Sequence, residues 1–315
     1  MKKLVLSLAL VVTLGFAKEN IIVYHAGSLA VPFAEIEKVF EEKYPQYNVL
    51  REASGSRVAA RKITDIGKHA DVMASADYHV IDNLMIPNNA KFNAHFATNE
   101  MVIAYTSKSK YAKDINSKNW TEIFLRDEVK IGHSNPNMDP CGYRSMLVTK
   151  LAEDYYKQAG FFKKLFGYGD SYTTGEENTK KIIVRPKETD LLGLIEVGVY
   201  DYLYIYKSVA KQHGLKYITL PEMVSLKSSK FANNYEKAIF KINGKTPNSW
   251  ITQKGTPMVY GITVVQNSKS PINKDGAVKF VNFLLSPKGQ EIMIKNGQGV
   301  INPPVITGDA SIIGK

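Results

Sequence analysis

From Ile21 onward, short apolar runs rich in β-branched residues alternate with amphipathic stretches, which restricts the chain to strands and crossover helices around a mostly parallel sheet. Ile21-Ile22-Val23-Tyr24 reads as the first strand, and Phe33, Ile36, Val39 and Phe40 then recur at helical spacing until Pro45 ends that segment. A strand is expected over 48–52, a helical face at Val58, Ala59, Ile63 and Ile66, and a buried strand at Asp71-Val72-Met73-Ala74. Lys130-Ile131-Gly132 and Lys181 to Val184 read as later strands. Ala277, Phe280, Val281 and Leu284 form another helical face, followed by a helix bearing Ile292 and Ile294. Met101 to Tyr105 and Met258 to Val265 are far apart in sequence yet alike in apolar content, and they read as paired crossings between two lobes. The polar stretch from Gly167 to Asn178 is expected to be a mobile surface loop.

Lys2 and Lys3, the apolar run Leu4 to Val12 and the small-residue site Gly15-Phe16-Ala17 together have the form of a secretory signal peptide. That run is shorter than the roughly 20 residues a spanning helix needs. The mature chain is therefore expected to start near Lys18 as a free periplasmic protein, because the only cysteine, Cys141, is far from any lipidation site. Removing residues 1–17 from 315 leaves 298, more than one core usually supports, so two α/β lobes are expected: 18–100 with 265–315, and 101–264. A net charge of +11, or +9 without Lys2 and Lys3, is spread over scattered lysines such as Lys108, Lys110, Lys113 and Lys118. Without a basic stripe interleaved with aromatics, and with secretion expected, no nucleic-acid partner is expected.

Four positions share one design, a small or polar turn that follows an expected strand and opens an expected helix. They are Ala26-Gly27-Ser28, Ser54-Gly55-Ser56, Asp139-Pro140-Cys141-Gly142 and Lys187-Glu188-Thr189. A helix N-terminus leaves backbone N–H groups unpaired and carries about half a positive charge, so several of them converging make an anion site without any lysine or arginine. Open α/β sheets place ligands at such turns. Ser28, Ser56 and Asp139 also suit plain N-capping, which is compatible with binding. Tyr200, Tyr202, Tyr204 and Tyr206 alternate as one face of a strand would, and packing accounts for most of them. A tyrosine at a strand's end can nonetheless present its O–H to an anion while its ring stays buried.

His25 to Leu29 (HAGSL), Ser54 to Arg57 (SGSR), Asp71 to Asp77 (DVMASAD), Asp139 to Arg144 (DPCGYR), Arg185 to Glu188 (RPKE) and Asp201 to Ala210 (DYLYIYKSVA) together resemble the tungstate-binding subgroup of the molybdate/tungstate receptor family. The likeness covers essentially the whole mature chain. It implies a two-lobed periplasmic solute-binding fold of type II, with tungstate or molybdate in the interlobe cleft as ligand and no cofactor. It also implies delivery to the membrane permease of an ABC importer, and a monomer is expected. Carried over position by position, it implies ligand contacts from the hydroxyls and amides of Ser28 and Ser56, the backbone amides of Cys141 and Glu188, and the phenol of Tyr206. It further implies that Asp139 and Glu188 give carboxylate oxygens to the metal atom.

Readings of other classes find less support. Six histidines include no H-E-x-x-H pair, and neither G-x-S-x-G nor a P-loop occurs, so no enzyme activity is expected. Cys141 has no evident histidine partner and reads as a structural cysteine whose N–H matters. A ferric-ion receptor would use tyrosines and carboxylates, but the tyrosines near residue 200 alternate rather than stand in tandem. Sulfate or phosphate receptors are the nearest alternatives. Two acidic residues in one site argue against both.

Overall fold

The computed structural model describes residues 17–173, 175–244, 246, 248–266 and 272–315, so the expected signal peptide lies almost wholly outside the described residues. The chain lays down β1 (Glu19–Ala26), β2 (Tyr47–Ser54), β3 (Val72–Ser75) and β4 (Phe92–Thr98) before it crosses to a second sheet. There it forms β5 (Met101–Tyr105), β6 (Ile131–Ser134), β7 (Ile182–Arg185), β8 (Tyr202–Tyr206) and β9 (Lys216–Thr219). A hairpin of β10 (Ile239–Asn243) and β11 (Trp250–Lys254) follows, and β12 (Val259–Val264) and β13 (Gly299–Gly308) return to the first sheet. The spatial orders are β13-β4-β12-β3-β1-β2 and β7-β6-β8-β5-β9.

The two sheets repeat one plan. In the first, β1 lies between β2 and β3 and runs parallel to both; in the second, β6 lies between β7 and β8 and runs parallel to both. β1 and β6 are thus the strands at which chain order reverses, where an open α/β sheet leaves a crevice at its carboxyl edge. Ala26 pairs with Ser54 at the end of β1 and β2, and Ser134 pairs with Arg185 at the end of β6 and β7. All four expected turns therefore emerge from carboxyl ends of parallel strands. The helices after them are Ala30–Lys43, Ser56–Thr64, Pro140–Tyr155 and, after a short 3-10 turn, Leu192–Glu196. Each closes its lobe with an apolar face: Phe33, Ile36 and Phe40 are buried on the first, and Met146, Leu147, Val148 and Leu151 on the third.

Two expectations are corrected. Met101 to Tyr105 and residues 258–265 were expected to be crossings between lobes, yet β5 sits inside the second sheet between β8 and β9, and β12 sits inside the first, antiparallel to both β3 and β4. A strand buried on both faces looks the same in sequence whichever sheet receives it, so apolar content did not reveal its partner. The chain passes between the sheets at Asn99-Glu100 and again between Lys254 and Val259. The segment from Gly167 to Asn178, expected to be mobile, buries Tyr168 and Tyr172 in the core, and the Tyr172 N–H donates to Lys241 O at 3.0 Å. Two aromatic anchors outweigh the polar residues around them.

Asp71, from the DVMASAD run, serves the first lobe rather than the cleft. Its carboxylate is buried and accepts from the Ile22 N–H at 2.6 Å and the Asn273 N–H at 2.7 Å, tying β1 to the start of the Lys274–Leu284 helix. Asp71→Ala should destabilise the protein by about 3 kcal/mol, because two backbone N–H groups lose a buried charged acceptor. Urea unfolding of the ligand-free protein tests this, and a change below about 0.5 kcal/mol would show that water replaces the carboxylate.

Candidate functional site

The turn residues meet in the cleft between the sheets. Ser28, Ser56, Cys141, Glu188 and Tyr206 are fully buried, and Asp139 retains 1% exposure, so the lobes are closed over them. Closure is tight enough to require glycine on the first-lobe side. A Cβ on Gly55 would lie 2.4 Å from Met138 O, and one on Gly27 would lie 2.9 Å from both carboxyl oxygens of Glu188.

Asp139 organises the second-lobe half. It is the N-cap of the Pro140–Tyr155 helix, with Pro140 at the first turn where a missing N–H costs nothing. Asp139 Oδ1 accepts from the Cys141 N–H at 3.3 Å and Oδ2 from the Glu188 N–H at 3.0 Å. Glu188 begins the short turn after β7, and its carboxyl oxygens have no partner among the described residues beyond the Asp139 carboxyl beside them. Burial, and then the charge of Asp139, push Glu188 well above the usual carboxylate range. Burial raises Asp139 too, while its hydrogen bonds oppose the rise. An unpartnered carboxyl buried against a second one is costly unless something electrophilic joins them.

The two serine hydroxyls belong to the first lobe and the Tyr206 phenol to the second. Neither serine is a helix cap: Ser28 lies within the 3-10 turn Gly27–Leu29 and Ser56 is the first residue of its helix, and neither of those N-termini has a side-chain cap. Ser56 Oγ accepts from the Ala76 N–H at 3.0 Å, and Ser28 Oγ lies 3.0 Å from the Tyr260 hydroxyl. Tyr206 ends β8, and its oxygen accepts from Arg144 Nη1 at 3.0 Å. Burial pushes the Tyr206 phenol well above its usual value, so it remains a protonated donor. Tyr204 packs in the core and donates or accepts only toward Thr149 Oγ1 at 2.8 Å, as ordinary sheet packing predicts. Cys141 is buried with its Sγ 3.6 Å from Tyr204 O; burial and the neighbouring carboxyls raise its thiol well above normal, which removes it as a nucleophile.

Several residues of the cleft escaped sequence reasoning. Arg144 Nη1 also donates to Ala76 O at 2.7 Å, across the lobes, and its Nη2 stands 3.7 Å from Asp77 Oδ2. The Tyr143 hydroxyl donates to the same Asp77 oxygen at 2.5 Å. Burial works to raise Asp77, but Arg144, His79 and Tyr143 together hold it well below the carboxylate range. Arg57 Nε donates to Asn137 O at 3.0 Å and Nη2 to Asn243 O at 2.5 Å, so the helix bearing Ser56 also grips the second lobe. Burial lowers Arg57 to about 10, leaving it charged at neutral pH. The available signal was the presence of Arg57, Asp77, Tyr143 and Arg144 inside or beside the quoted motifs. His25 and His133 occupy equivalent places at the ends of β1 and β6. Each donates from Nδ1 to the next residue's carbonyl at 2.8 Å, and burial holds each near 4, therefore neutral.

Residues 21–298 match the family described as bacterial extracellular solute-binding protein. The chain belongs to that family. Among related sequences, an uncharacterized solute-binding protein of Petrotoga mobilis is 53% identical, the alignment covering 90% of this chain and 85% of the relative. The molybdate/tungstate-binding protein WtpA of Pyrococcus abyssi is 45% identical, with 92% and 87% covered. Among solved structures, the Azotobacter vinelandii periplasmic molybdate-binding protein aligns with a TM-score of 0.61 at 15% identity, covering 88% of this chain and 98% of that one. The sulfate-binding protein SubI of Mycobacterium tuberculosis aligns with a TM-score of 0.63 at 14% identity, covering 94% and 89%. These two establish the shared two-lobed fold. Among the described residues, no helix of this solute-binding protein is long and apolar enough to cross a membrane.

The glycine contacts across the cleft yield a prediction. Because Gly55 meets Met138 only when the lobes are shut, Gly55→Ala should leave the urea stability of the ligand-free protein within about 0.5 kcal/mol. The same change should oppose closure by about 1–3 kcal/mol of steric overlap. Small-angle scattering with excess tungstate or molybdate should then show the parent more compact than the variant. Equal compaction would mean that the lobes can shift to accept the extra methyl.

Proposed function

We propose that this solute-binding protein captures tungstate or molybdate between its lobes in the periplasm and delivers it to the membrane permease of an ABC importer. On this reading it acts as a monomer after removal of a signal peptide, uses no cofactor and catalyses no reaction. The observation that carries the reading is the buried Asp139–Glu188 pair, covered by the first-lobe turns that carry Ser28 and Ser56 and with Tyr206 buried near it. A simple oxyanion gains nothing from a pair of ionised carboxylates, which would repel a dianion in a dry cleft. A site whose guest has an electropositive metal atom under its oxygens can use both. The relative named a molybdate/tungstate-binding protein, alike over 92% of this chain, supports the same choice.

In this mechanism the oxyanion enters an open cleft and meets the hydroxyls and helix N-termini of one lobe. The lobes then rotate shut about the crossings at Asn99-Glu100 and 255–258. Ser28, Ser56 and Tyr206 donate to the oxygens of the guest. Asp139 and Glu188 approach the metal from the second lobe as carboxylates, any proton on the pair passing to water. A five-atom ligand at the best efficiency of about −1.5 kcal/mol per atom reaches only low-micromolar affinity. Added metal–oxygen bonds supply the further affinity that a trace-metal scavenger requires. They also reject sulfate and phosphate, whose central atoms do not readily expand from four oxygens to six.

Ser28→Ala or Ser56→Ala should each weaken tungstate binding by roughly 1.5–3 kcal/mol, the value of a hydrogen bond to a charged group, with much less effect on folding. Calorimetry beside urea unfolding separates the two, and equal losses in both would make the serines structural. The decisive experiment combines Asp139→Asn with Glu188→Gln and measures tungstate, molybdate, sulfate and phosphate binding together with the tungsten X-ray absorption spectrum. Tungstate affinity should fall by about a hundredfold or more, as expected for two lost charged contacts. The parent spectrum should show more than four oxygens. A tetrahedral parent spectrum with unchanged affinity in the double variant would exclude coordination by these carboxyls.

A further inference from the structure

The Asn99 side chain lies at the first crossing between the sheets, and its orientation is fixed by what surrounds it. Asn99 Oδ1 accepts from the Glu100 N–H at 3.0 Å and from the Ser208 N–H at 3.4 Å. Backbone amides only donate, so the oxygen must face them and Nδ2 must face the other way. There Nδ2 donates to Ser208 Oγ at 2.8 Å and to the Tyr260 hydroxyl at 3.1 Å. The Tyr260 oxygen is thereby an acceptor, and its single hydrogen needs a partner of its own. Tyr260 is fully buried on β12, and Ser28 Oγ at 3.0 Å is its remaining hydroxyl neighbour. A buried O–H without an acceptor costs about 1–3 kcal/mol, so Tyr260 donates to Ser28.

We infer that Asn99 and Tyr260 are positioning residues that form a one-way hydrogen-bond relay, Asn99 to Tyr260 to Ser28, which fixes the Ser28 hydroxyl as a donor to the bound oxyanion. With its lone pair taken by Tyr260, Ser28 turns its own hydrogen toward the cleft. The same logic holds for the other two hydroxyls. Ser56 Oγ accepts from the Ala76 N–H, and the Tyr206 oxygen accepts from a guanidinium that can only donate. All three hydroxyl oxygens therefore accept from an obligate or oriented donor, leaving their hydrogens for the guest. Asn99, Tyr260 and Ser28 belong to the first lobe and its crossing, where the Glu100 N–H holds the Asn99 oxygen whether or not Ser208 of the second lobe is in place, so this relay is set before the lobes close. Orientation fixed in advance spares the ligand the cost of ordering the hydroxyl.

The inference rests on the oxyanion reading and is tested by tungstate calorimetry on the full mature chain. Tyr260→Phe keeps the ring and removes the donor; it should weaken binding by about tenfold, the scale of one hydrogen bond made through a charged contact. In the Ser28→Ala background the same change should cost less than about twofold, because the relay then has no terminus. Asn99→Asp keeps the shape but presents only acceptors to Tyr260, which reverses the relay and points the Ser28 lone pairs at the anion. Its loss should exceed that of Tyr260→Phe, and most of that excess should vanish when Tyr260→Phe is also present. Losses that simply multiply in both double variants would overturn the relay, whether they arise from added charge at position 99 or from general disturbance. Parent protein that binds no tungstate would instead defeat the oxyanion reading itself, an outcome visible before any variant is compared. Should Tyr260→Phe fail to fold, Asn99→Asp compared with and without Ser28→Ala makes the same distinction.

Discussion

The carboxylate of Asp139 holds the second-lobe half of the cleft together. By accepting from the N–H groups of both Cys141 and Glu188, it ties the start of the Pro140–Tyr155 helix to the turn after β7. Those elements follow β6 and β7, neighbouring parallel strands that end side by side. Sheet geometry brings the turns close, and one side chain fixes their separation. Glu188 is then carried into the cleft with its carboxyl against Gly27 of the other lobe. On the proposed function, the unsatisfied electrostatics of this pair suit a guest with acceptor oxygens outside and an electropositive centre within.

Closure relies on charge that is buried but not wasted. Arg57 reaches from the first lobe to carbonyls of the second, and Arg144 reaches from the second lobe to Ala76 O and Asp77 of the first. Breaking such groups apart exposes them to water, which solvates them well, so the closed and open forms are separated by less than these contacts alone imply. That balance suits a receptor that must open again. Arg144 has a second task, because the guanidinium that bridges the lobes also occupies the Tyr206 oxygen. Closing the cleft and orienting a donor are therefore coupled through one side chain.

The alternation of apolar runs and helical faces already determined an α/β chain, the approximate places of β1, β2, β3, β6 and β7, and the four turns at their ends. These are local properties: strand and helix periodicities, and the need of small or polar residues where a strand turns into a helix. The motifs around Ser28, Ser56, Asp139, Glu188 and Tyr206 named the residues that converge, because each lies within a few positions of such a turn. Sequence did not determine which sheet β12 joins, since a doubly buried strand carries no mark of its partners. It also did not determine that Tyr168 and Tyr172 pin the polar segment after Gly167. Whether Ser28 and Ser56 cap helices, and which way their hydroxyl hydrogens point, depended on Tyr260, Asn99 and Ala76, groups far away in the chain. Hydrogen-bond direction is a property of a closed network, and only the tertiary structure closes it.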